Sequence, residues 1–252
     1  MQRIIKNLNE NRLYQLGRRF YNEPTFAAVR MLTQLEMSKE PMRYDIINFI
    51  AKKTKANYYL EIGVRNPDDN YNRINIKNKF SVDPGVEFEA DTIDFKITSD
   101  DFFASLDKGS LRISAEIRFD IIFIDGLHLA EQVDRDILNA SKYLSENGFI
   151  ILHDCSPPTE HHARETYQFD SGPAEGFWNG TTWKAYLKAR TTYYSCCIDS
   201  DWGVGILSKQ NRGCFNLLPH NNNPFFEFHV LDRGRKEQLN LVSFSEFSRS
   251  LH

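Results

Sequence analysis

The sequence predicts an α/β protein: a doubly wound, mostly parallel sheet of seven strands, with an antiparallel hairpin towards the C-terminus and helices ahead of the sheet. Three observations predict it. Strand-like runs, "YYLEIGV", "KFSVDP", "FDIIFID" and "GFIILHD", recur through the middle of the chain. Two of them, "FDIIFID" and "GFIILHD", have apolar cores without polar alternation, the mark of strands covered on both faces. Between those two lies "LAEQVDRDILNASKYLSENG", with Val133, Ile137, Leu138 and Leu144 at helical spacing. Strand, helix, strand in that order is a βαβ unit, which makes the strands parallel and the crossover right-handed.

Taken in order, residues 1–56 read as helical. Pro24 opens a helix through "TFAAVRMLTQLEM", and "RYDIINFIAKKT" is a second, with a basic last turn. The strands "YYLEIGV" and "KFSVDP" follow, then a weaker one at "TIDFKIT", then the βαβ unit, whose helix Asn147-Gly148 is expected to stop. After the helix "GTTWKAYLKAR", "TTYYSCCID" and "WGVGILS" are strands close enough to pair antiparallel. The expected organisation is an N-terminal helical segment over 1–56, a catalytic domain over 57–209 and a C-terminal appendage over 210–252 packed on that domain.

Hydrophobic residues make up 41% of the 252, enough for a sizeable core. A net charge of −3 gives no basic excess, so nucleic acid is not an expected partner. The N-terminal stretch lacks the continuous apolar region of a secretory signal, and no run approaches a membrane span. Four cysteines without zinc spacing fit reduced thiols in a cytoplasm. The N-terminal helices are as well suited to a homodimer contact as to covering the sheet.

Functional residues are expected at one edge. Ligands of open parallel sheets bind beyond the carboxyl ends of the strands. Here the strands end in acids: Glu61 with Gly63, then Asp83, Asp125, and His153 with Asp154. One such acid is ordinarily a turn or cap residue; four at one edge point to a site. Asp83 follows Glu61 by 22 residues, near the spacing at which a carboxylate meets ribose hydroxyls in nucleotide-binding βαβ units. The loop after Gly63 has no GxGxxG pattern and carries Asp68 and Asp69, which a pyrophosphate would avoid. That argues against a dinucleotide and for a cofactor without phosphates.

"YLEIGV", "KFSVDPG", "TSDDFF", "FIDGLH", "NGFIILHDC" and "WNGTTWKAYLKAR" together resemble the class I S-adenosylmethionine-dependent methyltransferases, in particular small bacterial enzymes of that class associated with glycan biosynthesis. The resemblance spans roughly residues 58–208 and implies a Rossmann-like domain; Arg65 and Pro67 replace the glycines usual after Gly63. It implies that Glu61 and Gly63 lie against the methionine and ribose portions of S-adenosylmethionine, and that Asp83 holds the ribose hydroxyls. Asp100 or Asp101 would lie near the adenine amino group with Phe102 beside the ring, and Asp125 below the transferred methyl. "SDDFF" reads equally as a helix start, with Ser99 as cap and phenylalanines in the core.

Methyl transfer asks the protein for position and for a partner to the acceptor's proton. His128 is the candidate general base, three residues past Asp125. A divalent metal is the alternative way to acidify the acceptor. If the two strongest strands are neighbours, Asp125 and Asp154 converge on one cation with His153 beside them; an imidazole ligand favours manganese, iron or zinc over magnesium. His161 and His162 read as a solvated surface pair. In the glycine-rich stretch 172–180, Trp178 and Asn179 are candidates for a lid that contacts a sugar acceptor, while Trp183 and Tyr186 anchor the next helix. The expected activity is O-methylation of a small hydroxylated acceptor, such as a sugar or nucleotide-sugar. The alternatives are a metal-dependent hydroxylase or hydrolase on the same sheet, and a catalytically silent binding module.

Overall fold

The computed structural model describes residues 12–87, 92–167 and 172–251. Of the stretch expected to be helical, residues 1–11 lie outside the described residues. Three helices follow: α1 (Arg12–Tyr21), α2 (Pro24–Met37) and α3 (Arg43–Thr54). Pro24 does open α2, and the Glu23 carboxylate accepts from Thr25 N and Phe26 N, satisfying two orphan amides of the first turn. In α3, Ile46, Ile47 and Ile50 are buried, and Lys52 and Lys53 sit in the last turn, where the helix dipole favours cations.

The sheet begins with β1 (Tyr58–Ile62) and β2 (Asn78–Val82). After α4 (Ser99–Asp107) come β3 (Phe119–Ile124), α5 (Ala130–Tyr143) and β4 (Leu144–Leu152). Helix α6 (Thr182–Ala189) then leads into β5 (Tyr194–Ile198) and β6 (Val204–Ser208). The last stretch holds two short helices, α7 (Phe228–Arg233) and α8 (Arg235–Leu239), strand β7 (Leu241–Val242), and helix α9 (Phe244–Ser250).

The seven strands lie in the order β2-β1-β3-β4-β6-β5-β7. Neighbours are parallel except where β6 pairs antiparallel with both β4 and β5. The fold class is thus the doubly wound, mostly parallel sheet with an antiparallel hairpin that the sequence predicts. Successive residues of the central strands enter opposite cores. Ile122 and Ile124 of β3 pack under α4, α5 and α6. Ile121 and Phe123 pack with α3 and α9. Each such fully buried side chain contributes roughly 1.5–3 kcal/mol relative to exposure, which is why apolar runs rather than alternation encode these strands.

Two local expectations are corrected. "TIDFKIT" is not a strand; it makes a single bridge, between Phe95 and Val82. The Asp94 carboxylate accepts from Ser81 N at 3.1 Å, Ser81 Oγ at 3.0 Å and Tyr71 OH at 3.0 Å, so side-chain bonds take the place of a ladder. The seventh strand is β7 instead, two residues that pair with Cys197 and Ile198. The second correction concerns the helix stop: α5 ends at Tyr143, and Leu144 is already opposite Phe119 in the sheet. Asn147-Gly148 therefore falls inside β4, where a Cβ at Gly148 would come within 3.0 Å of Asp120 O. Gly148 is there for a close backbone approach, not for a helix end.

The chain runs from β1 outwards to β2 and returns to β3 on the other side of β1. The strand order reverses between β1 and β3, and this switch point opens a crevice beyond their carboxyl ends.

Candidate active site

The ladder itself delivers the strand ends to one rim. Gly63 N donates to Val82 O at 2.9 Å, Asp125 N to Ile62 O at 2.8 Å, and His153 N to Ile124 O at 3.2 Å. Gly63 is required where it stands: φ is +84°, and a Cβ there would sit 2.3 Å from Asp125 O. The loops after β1 and β3 therefore touch backbone to backbone, and the crevice opens around that contact.

Two chambers meet there. The larger, about 580 Å³, is bounded by Gly63, Asp83, Ser99, Asp100, Gln132 and Leu127, within the usual range of small-molecule sites. The smaller, about 300 Å³, is bounded by Arg43, Asn70, His153, Asp154, Asn179 and Trp202. Gly63, Asp125, His128 and Trp178 border both.

In the larger chamber, Asp83 accepts from Arg65 N at 3.0 Å and Gly85 N at 2.6 Å, one bond on each oxygen. Each oxygen keeps a second lone pair for a ligand hydroxyl. Val86 and Leu127 line the same space with exposed apolar side chains. Asp100 borders it, while Asp101 is occupied in the cap of α4: Thr98 Oγ1 donates to Asp101 Oδ2, and Asp101 N donates back to Thr98 Oγ1. Thr98, not Ser99, is the cap residue. Phe102 is fully buried, packed against Phe95 and Phe103 in the core below α4. Two residues that the sequence left unremarked, Gln132 and Asp136 of α5, line this chamber too. Burial raises the Asp136 carboxyl to about 6, against the hydrogen bonds from Ser99 and Gln132.

Between the chambers the charges are crowded. His128 Nδ1 is 3.0 Å from Asp154 Oδ2 and its Nε2 3.4 Å from Asp125 Oδ1. His153 Nδ1 is 3.1 Å from Asp125 Oδ1. Arg43 reaches in from the start of α3: its Nε is 3.7 Å from Asp125, and its backbone N donates to Asp201 Oδ2 at 2.7 Å. Burial opposes charge on His128, but Asp154 and Asp125 outweigh it and raise its pKa to about 9. His153 is raised well above its ordinary value, burial again being overcome by Asp125, Asp154 and Asp201. Asp125 is lowered: burial would raise it, but the charge of His153 and bonds from both histidines prevail. Asp201 is lowered to about 2, burial being outweighed by His153 and Arg43.

Asp125, His128 and Asp154 each offer one ligand atom, and those atoms lie within 4.8 Å of one another. With both histidines protonated, Asp125, Asp154 and Asp201 balance them and Arg43; a divalent cation would enter by displacing the two imidazole protons. Two carboxylate oxygens with an imidazole suit manganese, iron or zinc. His128 joins this set, and His153 stays beside it, as expected from the sequence: its Nδ1 is 3.1 Å from Asp125 Oδ1 and 3.4 Å from Asp154 Oδ2, while its Nε2 is 3.3 Å from Asp201 Oδ1.

Glu61 lies behind this cluster, on the wall of the smaller chamber. Burial raises its carboxyl to about 7, against hydrogen bonds from Tyr59 and Asn70. Trp178 stacks on His128, ring centroids 5.2 Å apart, and donates from Nε1 to Arg164 O at 2.7 Å. Asn179 is buried, with Nδ2 2.6 Å from Asp154 Oδ1. The next residues are fixed as well. Gly180 has φ +61°, with room for no side chain against His128 O, and Thr181 N donates to that same oxygen at 2.7 Å. His161 is exposed, whereas His162, expected to be solvated, is fully buried between Thr33 Oγ1 at 3.0 Å and Thr159 Oγ1 at 2.8 Å. Trp183 and Tyr186 are core residues. Sequence reasoning missed Arg43, Asn70 and Asp201, for each reads locally as a helix start or a turn.

Residues 61–155 match the family model of a methyltransferase domain. This segment is a methyltransferase domain, and it holds Gly63, Asp83, Asp125 and Asp154. No curated protein matches the chain in sequence. Among solved structures, an O-methyltransferase from Bacillus cereus in complex with SAH is 11% identical, covering 76% of this chain and 94% of its own, with a TM-score of 0.44. A SAH-bound methyltransferase from Podospora anserina is 17% identical over 81% and 97%, with a TM-score of 0.42. An O-methyltransferase from Streptomyces achromogenes, in complex with SAM, is 10% identical over 75% and 91%, with a TM-score of 0.45.

Proposed function

We propose that the protein is an S-adenosylmethionine-dependent O-methyltransferase acting on a small hydroxylated acceptor of the sugar type. The carrying observation is the pair of chambers joined at Gly63, Asp125 and His128. The larger supplies what an adenosyl group asks for: a carboxylate with free lone pairs at Asp83, a polar end at Ser99 and Asp100, and apolar walls at Val86 and Leu127. The smaller is polar and takes the acceptor.

S-adenosylmethionine supplies an activated methyl, so the protein's share is alignment of the acceptor oxygen and disposal of its proton. Gly63 lets the loops after β1 and β3 meet backbone to backbone where the two chambers join. His128 is a poor free base at neutral pH, because Asp154 and Asp125 hold its proton up to about 9. We therefore assign it, with Asp125 and Asp154, to the ligand set of a divalent cation. Such a cation would supply Lewis acidity at the acceptor hydroxyl. Asn179 holds Asp154 in place, and Trp178 holds the plane of His128.

The four cysteines are free thiols, in keeping with a cytoplasmic setting. Among the described residues, no helix is long and apolar enough to cross a membrane. Calorimetric titration with S-adenosylhomocysteine tests the reading. Micromolar binding that weakens roughly 10-fold or more in Asp83→Ala supports it, the loss of two hydroxyl bonds being worth at least ~1.4 kcal/mol. No binding to the wild type at millimolar ligand rejects it.

A further inference from the structure

Arg65 stands two residues after the close approach at Gly63 and borders both chambers. Its φ is +43°, in the left-handed region that glycine occupies without strain and arginine does not. Residues held so gather at ligand sites, and they persist where the surrounding structure fixes them. Here Arg65 N donates to Asp83 Oδ2 at 3.0 Å. The carboxylate assigned to the ribose hydroxyls therefore fixes the point from which this arginine side chain starts.

The side chain is 67% exposed. Its Nε lies 3.4 Å from Glu87 Oε2, and the Glu87 side chain is 68% exposed, so the pair contributes little and gives way to a better-matched anion. The other cationic groups of the two chambers are engaged. Arg43 Nη1 is 3.2 Å from Asp201 Oδ2, His128 Nδ1 3.0 Å from Asp154 Oδ2, and His153 Nδ1 3.1 Å from Asp125 Oδ1. The remaining charged groups of the larger chamber are acids: Asp83, Glu87, Asp100, Asp125 and Asp136. An anionic group of a ligand there has Arg65 as its partner and is repelled elsewhere.

S-adenosylmethionine carries one such group. Its sulfonium has to stand at the junction for the methyl to enter the smaller chamber, and the amino-acid tail beyond the sulfur ends in a carboxylate. We infer that Arg65 binds this carboxylate, its guanidinium offering the paired N–H donors that a carboxylate accepts, and that the site thereby prefers adenosyl ligands with the full amino-acid tail to those without the carboxylate. This rests on the larger chamber being the cofactor site. The left-handed backbone costs stability and is kept for the side chain it presents.

The test is calorimetric and needs no acceptor. S-adenosylhomocysteine is compared with S-adenosyl-3-thiopropylamine, the same thioether with its ammonium and without its carboxylate. Wild type, Arg65→Gly and Arg65→Gln are titrated with both, and each is unfolded in urea. The wild type should bind S-adenosylhomocysteine roughly 10-fold more tightly than the decarboxylated ligand, the difference expected of a charge-assisted pair. Both variants should lose that preference through weaker binding of S-adenosylhomocysteine, while their affinity for the decarboxylated ligand is not reduced. Arg65→Gly should unfold at no lower urea concentration than the wild type, its left-handed backbone being relieved. A preference that survives in both variants, equal losses for both ligands, or no preference in the wild type overturns the inference and leaves the cofactor reading standing. An arginine that serves an anionic acceptor instead leaves both affinities as they were in the variants, which overturns it too. Binding of neither ligand to the wild type rejects both.

Discussion

Arg43 and Arg190 are both buried arginines, and they differ in what surrounds them. Arg190, at the end of α6, lies at the sheet edge opposite the rim, and its partners are neutral oxygens. Its Nε donates to Ser195 Oγ at 3.0 Å, Nη1 to the carbonyls of Glu237 and Gln238, and Nη2 to Asn216 Oδ1. Those two carbonyls belong to the last turn of α8, where the helix dipole is negative. Arg43 stands among Asp125, Asp154 and Asp201 with one donor unused. The first arrangement is closed: every nitrogen of the guanidinium has a partner within the chain, and it ties α6, β5 and α8 together. The second is open, with ligand atoms and lone pairs in excess of internal partners. An open polar cluster costs stability and persists where something else completes it.

The difference can be broken at either end. Asp125→Asn removes the charge that both histidines and Arg43 face, and turnover should fall about 10³-fold, about 4 kcal/mol of transition-state stabilisation, with folding retained. Steady-state kinetics beside a denaturant curve decide this. An equal fall in stability would make Asp125 a structural residue. Arg190→Met should do the converse. It strands several buried acceptors and should cost about 3 kcal/mol in urea unfolding, while S-adenosylhomocysteine affinity stays within about 2-fold. Chelation of divalent cations should lower turnover by about 10²-fold, with manganese restoring it better than magnesium. Undiminished activity after exhaustive chelation would remove the cation from the account.

A smaller effect sharpens the closed side. His162 is neutral in the folded state: burial lowers its pKa to about 4, with the nearby charges of Arg164 and His161 adding to the shift. Thr33 Oγ1 donates to Val29 O, so it accepts from His162 Nε2. Because the folded-state pKa lies below the unfolded one, the contribution is complete above about 6.5 and is lost as the pH falls towards 4. Between pH 7.5 and 4.5 the wild type should lose roughly 2 kcal/mol more than His162→Asn, which cannot titrate. Equal losses in urea melts would show that the Thr33–His162–Thr159 contact does not feel this proton.

Much of the fold was legible because the central strands carry unbroken apolar runs, and α2 and α3 carry helical spacing with clear ends. "TIDFKIT" misled because the Asp94 carboxylate competes with the ladder through three hydrogen bonds of its own, a competition that composition cannot rank. Asn147-Gly148 misled because a glycine that ends a helix and a glycine that admits a close strand look alike in sequence. Of the candidate site, Asp83, Asp125, His128 and Asp154 could be named from their places at strand ends. Phe102 and Asp101 could not be told from the core and the cap of α4, since "SDDFF" satisfies both readings.

The sequence by itself determined a parallel sheet whose strands end in acids, because apolar periodicity and strand-end chemistry are local properties. It also determined that the loop after Gly63 is unsuited to a pyrophosphate. Tertiary structure alone decided that Arg43, Asn70 and Asp201 join those acids, and that His128 and His153 both lie against Asp125 and Asp154. Those residues come from α3, a 3-10 turn and the β5–β6 hairpin. Their convergence depends on strand order and crossing geometry, which no local window of residues contains.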